Sequence, residues 1–120
     1  MDTEIRTIVL APRYTTYTSA RTFLTAPIAV RDFAYVTVTA WRGAGVGTSP
    51  TFSVVVQTSD DLEIWTDVGS AFDPDTETNV RYDLAAEWLR VKIILGGTDP
   101  AFSCWAIGNF ATRTPRGHGG

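Results

Sequence analysis

The sequence is poor in the side chains that most often carry chemistry. Its 120 residues include one cysteine, one histidine and one methionine. The single cysteine, Cys104, excludes an internal disulfide bond and any metal site built from several cysteines. The single histidine, His118, lies in a glycine-rich stretch near the C-terminus, where no packed neighbours would orient it as a general base. We therefore expect no enzymatic activity, no cofactor and no metal ion.

Long apolar runs are also missing. No stretch approaches the roughly 18 residues that a membrane-spanning helix requires, so we expect no membrane partner. The first residues, Met1 to Arg6, are acidic and lack the apolar segment of a secretory signal, which predicts synthesis in a cytoplasm. Apolar residues make up 44% of the chain and charged residues 19%, a composition that favours one globular domain.

Basic residues are absent from the middle of the chain. Residues 59–80 contain seven acidic residues and no basic ones, whereas residues 1–58 and 81–120 each carry a net charge of +2. No cluster of Lys and Arg is large enough to neutralise a run of phosphates, so we expect no nucleic-acid partner. The acids of residues 73–77 do not predict a calcium site, because the glycine and the distal glutamate of an EF-hand loop are both missing.

What the sequence does contain most clearly is a β-hairpin at residues 51–68. Side chains alternate between apolar and mixed faces from Phe52 onward, which is the pattern of a half-buried strand. The short polar residues 59–61 then predict a turn. A returning strand should begin near Glu63 and carry Trp65 close to the turn.

Later segments also predict strands. Residues 33–41 and 79–84 show strand composition, and residues 88–95 have one wholly aliphatic face. Residues 96–100, Gly-Gly-Thr-Asp-Pro, predict a turn. On this interpretation residues 88–95 and 101–110 form a second hairpin.

The N-terminal region carries weaker strand patterns. Residues 5–10 predict a first strand that ends before Pro12, which lacks a backbone donor. Residues 14–19 are polar and aromatic, which favours an edge strand or an extended arm that adds to a neighbouring subunit, with pairing inside the chain's own sheet as the alternative. Residues 23–28 predict an edge position, and residues 85–87 are the one place where a helical turn is expected.

Seven to eight short strands with turns between them predict an all-β fold, an antiparallel β-sandwich of jelly-roll or immunoglobulin-like type with extended termini. A small closed barrel is the alternative. We divide the chain into an N-terminal arm or edge strand (residues 1–22), the sandwich domain (23–111) and a flexible C-terminal tail (112–120). The residues expected to mark the core and the fold are Val54, Val56, Trp65, Trp88, Leu89, Val91 and Ile93.

The four tryptophans allow two interpretations. Trp65 and Trp88 flank strand ends and favour a place in the core, since aromatic rings bury a large apolar area. Trp41 and Trp105, with Tyr35, are candidates for exposure instead. Because exposed aromatic rings on a β-sandwich can stack on sugar rings, a carbohydrate-binding module is an alternative function. It predicts exposed, coplanar tryptophans with polar neighbours.

Two stretches, VVVQTSDDLEIWTDVGS and RYDLAAEWLRVKIILGGTDPAF, together resemble small virion proteins of tailed bacteriophages and related phage-like particles. In such sequences a strand ends in a Ser-x-Asp turn, a tryptophan and an aliphatic residue follow, and an aromatic residue later precedes Leu-Arg-Val and a Gly-Thr turn. The resemblance covers roughly residues 33–110. The matching positions are Ser59, Asp61, Trp65, Val68, Trp88, Leu89, Arg90, Val91, Gly97 and Thr98.

This resemblance implies a β-sandwich located in the virion that coats or joins capsid subunits, above all a head decoration (cement) protein that stabilises the capsid. Its implied partners are the major capsid protein, other virion subunits or further copies of itself. A tail or neck component of the virion is the alternative. Extended termini that lie across neighbouring subunits would supply the contacts. The candidate assembly residues are Tyr14, Tyr17, Arg113 and Arg116.

Overall fold

The computed structural model describes residues 4–113, apart from the side chain of Tyr14. All regular secondary structure in this range is β-strand, and every strand pairing is antiparallel, which confirms the predicted all-β fold. No helix among these residues is long and apolar enough to cross a membrane. The strands are β1 (Ile5–Thr18), β2 (Thr22–Leu24), β3 (Ile28–Ala29), β4 (Phe33–Arg42), β5 (Val46–Ser59), β6 (Thr66–Phe72), β7 (Thr78–Asp83) and β8 (Trp88–Thr112).

The sheet is built around β8. The N-terminal part of β8 pairs with β5 on one side and with β2 and β3 on the other, whereas its C-terminal part pairs with β4 and β1. β6 extends the first half beyond β5, and β7 extends the second half beyond β4. An extended strand of this length would span about 80 Å. The longest dimension of the molecule is 57 Å, so β8 must bend.

The bend lies at the residues for which the sequence predicts a turn. Before it, odd-numbered residues from Leu89 to Leu95 are buried, and after it even-numbered residues from Phe102 to Phe110 are buried. Gly97 at the bend has a φ of +103°, and a Cβ there would lie 2.6 Å from the Ser49 carbonyl oxygen. The predicted hairpin of residues 88–95 and 101–110 is therefore wrong: the two segments are one strand, which pairs with β4 and β5 rather than with itself.

The prediction that the first strand ends before Pro12 is also wrong. β1 continues to Thr18 because its register against β8 shifts between Ala11 and Thr15. At such a bulge the ladder is interrupted locally, so a residue without a backbone donor is tolerated.

The central hairpin is confirmed, since β5 and β6 pair with Gln57 opposite Asp67. Its second strand begins at Thr66 rather than near Glu63. The reason is the Asp61 carboxylate, whose Oδ1 accepts hydrogen bonds from the backbone N–H groups of Glu63 and Ile64, each at 2.9 Å. These bonds keep both residues in the turn.

The expected helical turn at residues 85–87 does not form. The Glu87 carbonyl accepts a hydrogen bond from the Val30 N–H at 2.8 Å, and the Glu87 N–H donates to Asp60 Oδ1 at 3.3 Å. Its backbone groups are thus used in contacts with distant segments, which replace the local bonds of a helix.

The two halves of the sheet pack face to face around one core. Phe52 of β5 lies against Phe102 of β8, with ring centroids 5.1 Å apart, and Tyr82 of β7 lies against Gly69 of β6. The arrangement is sandwich-like, and the path of hydrogen-bonded strands ends at β6 and β7. Of the residues expected to mark the fold, Trp65 and Trp88 are partly buried and the others lie in the core: Val54, Val56, Leu89, Val91 and Ile93.

Candidate functional site

The sandwich has two outer faces, and one of them carries a groove between its side chains. This groove face is formed by β1, the C-terminal part of β8, β4 and β7, which lie side by side in that order. Because the even-numbered residues of this part of β8 fill the core, its odd-numbered residues point outward. The groove has a volume of about 460 Å³, within the range of typical ligand sites. This tryptophan groove is lined by Arg13, Trp41, Glu77, Ser103, Cys104 and Trp105.

The strand register places the two tryptophans next to each other. Trp41 of β4 is directly opposite Trp105 of β8, so both indoles stand on the same face. The guanidinium carbon of Arg13 lies 4.6 Å from the centre of the Trp105 ring, a cation–π contact. Trp41 packs over Gly43, where a Cβ would lie 3.3 Å from its ring. The sugar-binding interpretation predicts exposed tryptophans, and both side chains are partly buried but keep part of their surface accessible in the groove.

Several polar groups of the groove retain hydrogen-bonding capacity. Within the described part of the chain, the Ser103 hydroxyl makes one hydrogen bond, to the Thr16 hydroxyl at 3.2 Å. Among residues 4–113 no ion pair involves Arg13 or Glu77, which stand at opposite sides of the groove. Glu77 directly precedes Thr78, the residue of β7 that pairs with Ala40 of β4. The groove therefore offers a donor, an acceptor and a hydroxyl around two indole rings.

Cys104 lies beneath the groove and does not supply a nucleophile. Its side chain is 4% exposed, and burial raises the pKa of the thiol to about 11. Since the thiolate is the reactive form, the group stays inert near neutral pH. His118, the single histidine of the sequence, lies outside the described residues.

The acidic segment is held by contacts within the protein. Asp73 accepts two hydrogen bonds from Arg42, at 2.6 and 2.9 Å. The pKa of Asp61 is lowered mainly by the N–H of Ile64, and further by Glu63 and Ser59. Within the described part of the chain, no group of three or more His, Cys, Asp or Glu side chains is arranged to hold a metal ion.

The second outer face, formed by the N-terminal part of β8 with β5 and β6, carries a network of paired side chains. Arg90 Nε donates to Gln57 Oε1 at 2.8 Å, and Gln57 Nε2 donates to Asp67 Oδ1 at 2.7 Å. Lys92 Nζ lies 3.5 Å from the same Asp67 oxygen. The guanidinium of Arg90 also covers the ring of Trp65, at 4.1 Å from its centre. We call this surface the network face.

One edge of the sheet is long and open. β1 pairs with β8 along one side, and no backbone partner on its other side is found among residues 4–113. Residues Ile5 to Val9 keep a regular register, and the side chains of Ile5 and Val9 are 55% and 58% exposed. Thr15 to Thr18 pair with β8, so this segment belongs to the chain's own sheet on one side and is open on the other.

The candidate assembly residues fall into three groups. Tyr17 packs inward against Phe23, with ring centroids 4.8 Å apart, and burial raises the pKa of its hydroxyl. Arg113 donates to the carbonyl oxygens of Arg31 at 3.0 Å and Leu84 at 3.4 Å, so its guanidinium is held by its own chain. Arg116 and the side chain of Tyr14 lie outside the described residues.

No protein-family model matches the chain, and no curated protein sequence matches it. In fold, the chain is similar to VP2 of the infectious bursal disease virus subviral particle, with a TM-score of 0.61 and 12% identity over 92% of this chain. A chain of the T13 particle of the same virus gives a TM-score of 0.60 at 12% identity over 92% of this chain, and the matches cover 33% and 31% of the two viral chains. The chain thus spans about a third of the length of these capsid chains.

The fold also occurs in a protein of similar length. A subunit of the Bacillus endospore appendages, which form disulfide-linked pili, matches with a TM-score of 0.54 and 12% identity over 95% of this chain and 93% of that one. At such identities the likeness establishes a shared fold. That fold is an all-β domain present in viral capsid chains and in a pilus subunit.

Proposed function

We propose that this chain is a non-enzymatic structural subunit of a larger particle, and more specifically a phage virion protein that decorates and stabilises the capsid. The similar chains build a viral shell and a pilus, both made of repeated subunits. The phage-like motifs around Ser59 and Trp88 support the more specific proposal. A tail or neck position in the virion is the alternative.

The observation that carries the proposal is the open edge of β1. Proteins normally shield edge strands by shortness, charge or irregularity, because unpaired backbone groups attract strands from other chains. β6 has seven residues and an irregular register, and β7 has six residues with exposed Arg81 and Asp83. β1 has 14 residues and presents exposed apolar side chains in its regular part. It is therefore the edge best suited to accept a strand from a neighbouring subunit.

Weak contacts are sufficient for such a role. On a symmetric particle each contact is repeated many times, and repetition raises the overall avidity without a strong single site. The proposed partners are the major capsid protein and neighbouring copies of this chain.

The test uses shells assembled from the major capsid protein of the same genome. The purified chain is added, the shells are isolated on a density gradient, and bound chain is quantified. Val9→Lys places a charge on the open edge and should reduce occupancy at least fivefold, because a buried charge opposes strand addition. Val46→Lys is the matched control: Val46 is 65% exposed but lies in an irregular part of β5, and occupancy should stay within twofold of the parent.

Two results would contradict the proposal. One is a parent chain that does not bind the shells at any concentration and forms no assembly of its own. The other is equal loss of occupancy in both variants, which would show that the β1 edge is not the contact.

A further inference from the structure

Four side chains form a row across the groove face. In lateral order they are Arg13 from β1, Trp105 from β8, Trp41 from β4 and Glu77 beside β7. The row crosses the strands at right angles, so four separate elements fix its spacing. Arg13 belongs to β1, whose open edge borders this surface, but the inference below does not depend on the proposed assembly.

The charges of this row differ from most others on the sheet because they lack partners. Arg42, Arg81 and Lys92 each form an ion pair with an aspartate. Among residues 4–113, the guanidinium of Arg13 stacks on the face of Trp105, and neither Arg13 nor Glu77 takes part in an ion pair. The guanidinium therefore keeps donors available, and the carboxylate keeps acceptors available.

The combination of groups indicates the chemistry of the ligand. A flat apolar molecule would strip water from Arg13 and Glu77 without replacing their hydrogen bonds, which is costly. An anionic polymer would be repelled by Glu77, and among the described residues that line the groove, Arg13 is the single cation. A sugar ring has C–H faces that pack on indoles, and its hydroxyl groups both donate and accept, so they can bond to a guanidinium, a carboxylate and the Ser103 hydroxyl together.

We propose that the tryptophan groove binds a saccharide. Trp41 and Trp105 provide the apolar walls that pack against sugar rings. Arg13 and Glu77 bind hydroxyl groups at the two sides, and Ser103 binds between them. The groove is open to solvent and has a volume of about 460 Å³, which accommodates a short segment of an oligosaccharide.

The experiment is a screen of the purified full-length chain on an array of neutral and acidic oligosaccharides, followed by calorimetry with the strongest binder. Trp41→Ala and Trp105→Ala should each weaken binding by about tenfold. Trp65→Ala is the matched control, since Trp65 is also partly buried at the surface but is covered by Arg90 on the network face. The affinity of this variant for the saccharide should stay within twofold of that of the parent. Glu77→Gln and Ser103→Ala leave both rings in place and test the polar contacts separately from folding.

Circular dichroism of each variant checks that the fold is retained. Binding that requires both groove tryptophans and tolerates the loss of Trp65 supports the site. The inference is overturned if no oligosaccharide on the array binds, or if Trp65→Ala weakens binding as much as Trp105→Ala. It is also overturned if a proline-rich peptide, which can dock on aromatic grooves, binds through Trp41 and Trp105 and no oligosaccharide does.

Discussion

The two outer faces of the sandwich use similar residues in opposite ways. Each has a tryptophan with an arginine stacked on it: Trp65 with Arg90 on the network face, and Trp105 with Arg13 on the groove face. On the network face, Arg90 also donates to Gln57, which is 6% exposed and in turn donates to Asp67. On the groove face, the arginine has no such second partner among residues 4–113.

This difference separates internal structure from binding capacity. The polar groups of the network face are paired with each other, so a ligand would have to break existing bonds before making new ones. Around the two indoles of the groove face, Arg13 and Glu77 form no ion pair among residues 4–113, and the Ser103 hydroxyl keeps part of its hydrogen-bonding capacity. A residue type therefore says little about function until its partners are known.

The largest expected effect concerns the bend of β8 that places the two faces on opposite sides. Gly97→Ala should destabilise the protein by about 3 kcal/mol, because a Cβ at this φ of +103° would contact the Ser49 carbonyl oxygen. Thr98→Ala in the same bend should change the free energy of unfolding by less than about 0.5 kcal/mol. Urea denaturation measures both. If both variants change the free energy of unfolding by the same small amount, the bend does not require glycine at position 97, and this prediction is wrong.

The next effect compares the two stacked arginines. Arg90→Ala should lower the free energy of unfolding by about 1–2 kcal/mol, because it leaves the buried Gln57 oxygen without a donor and uncovers Trp65. Arg13→Ala removes only the contact with Trp105 and should cost less than about 1 kcal/mol. A larger loss from Arg13→Ala would contradict the distinction between the faces.

The smallest effect is a pH dependence on the network face. The hydrogen bond from Gln57, and secondarily the charge of Lys92, lower the pKa of Asp67 below its ordinary value. A lowered folded-state pKa contributes stability above the unfolded value of about 4, and this contribution is lost as the pH falls through the folded value. Asp67→Asn should therefore have a lower free energy of unfolding than the parent at pH 7. This difference between the two proteins should become smaller below about pH 4. Thr66→Ala changes an uncharged neighbour, so its difference from the parent in free energy of unfolding should stay constant across the same pH range.

Local patterns in the sequence were sufficient for much of the fold. Alternation places Val54, Val56, Leu89 and Val91 inside, and it does so independently of how the strands are arranged. The Gly-Gly-Thr-Asp-Pro segment shows the limit of such patterns. Its flexible residues suit a turn and a bend equally well, and the choice depends on whether each half of β8 finds partners elsewhere, in β4 and β5.

The candidate site was harder to predict. The sequence indicates that Trp41 and Trp105 are candidates for exposure, but their adjacency depends on the register between two strands, which pairs residues 64 positions apart in the sequence. Arg13 and Glu77 have no local pattern that connects them to either tryptophan. Only the lateral order of β1, β8, β4 and β7 brings the four together.

The most direct test of the proposed assembly role is hydrogen–deuterium exchange of the chain, free and bound to capsid shells. If a neighbouring strand adds to the open edge, backbone amides of β1, above all at residues 5–9, should exchange more slowly in the bound state. Amides of β6 and β7, at the other ends of the sheet, should be unchanged. Unchanged exchange in β1, with protection appearing at β6 or β7 instead, would contradict assembly through this edge.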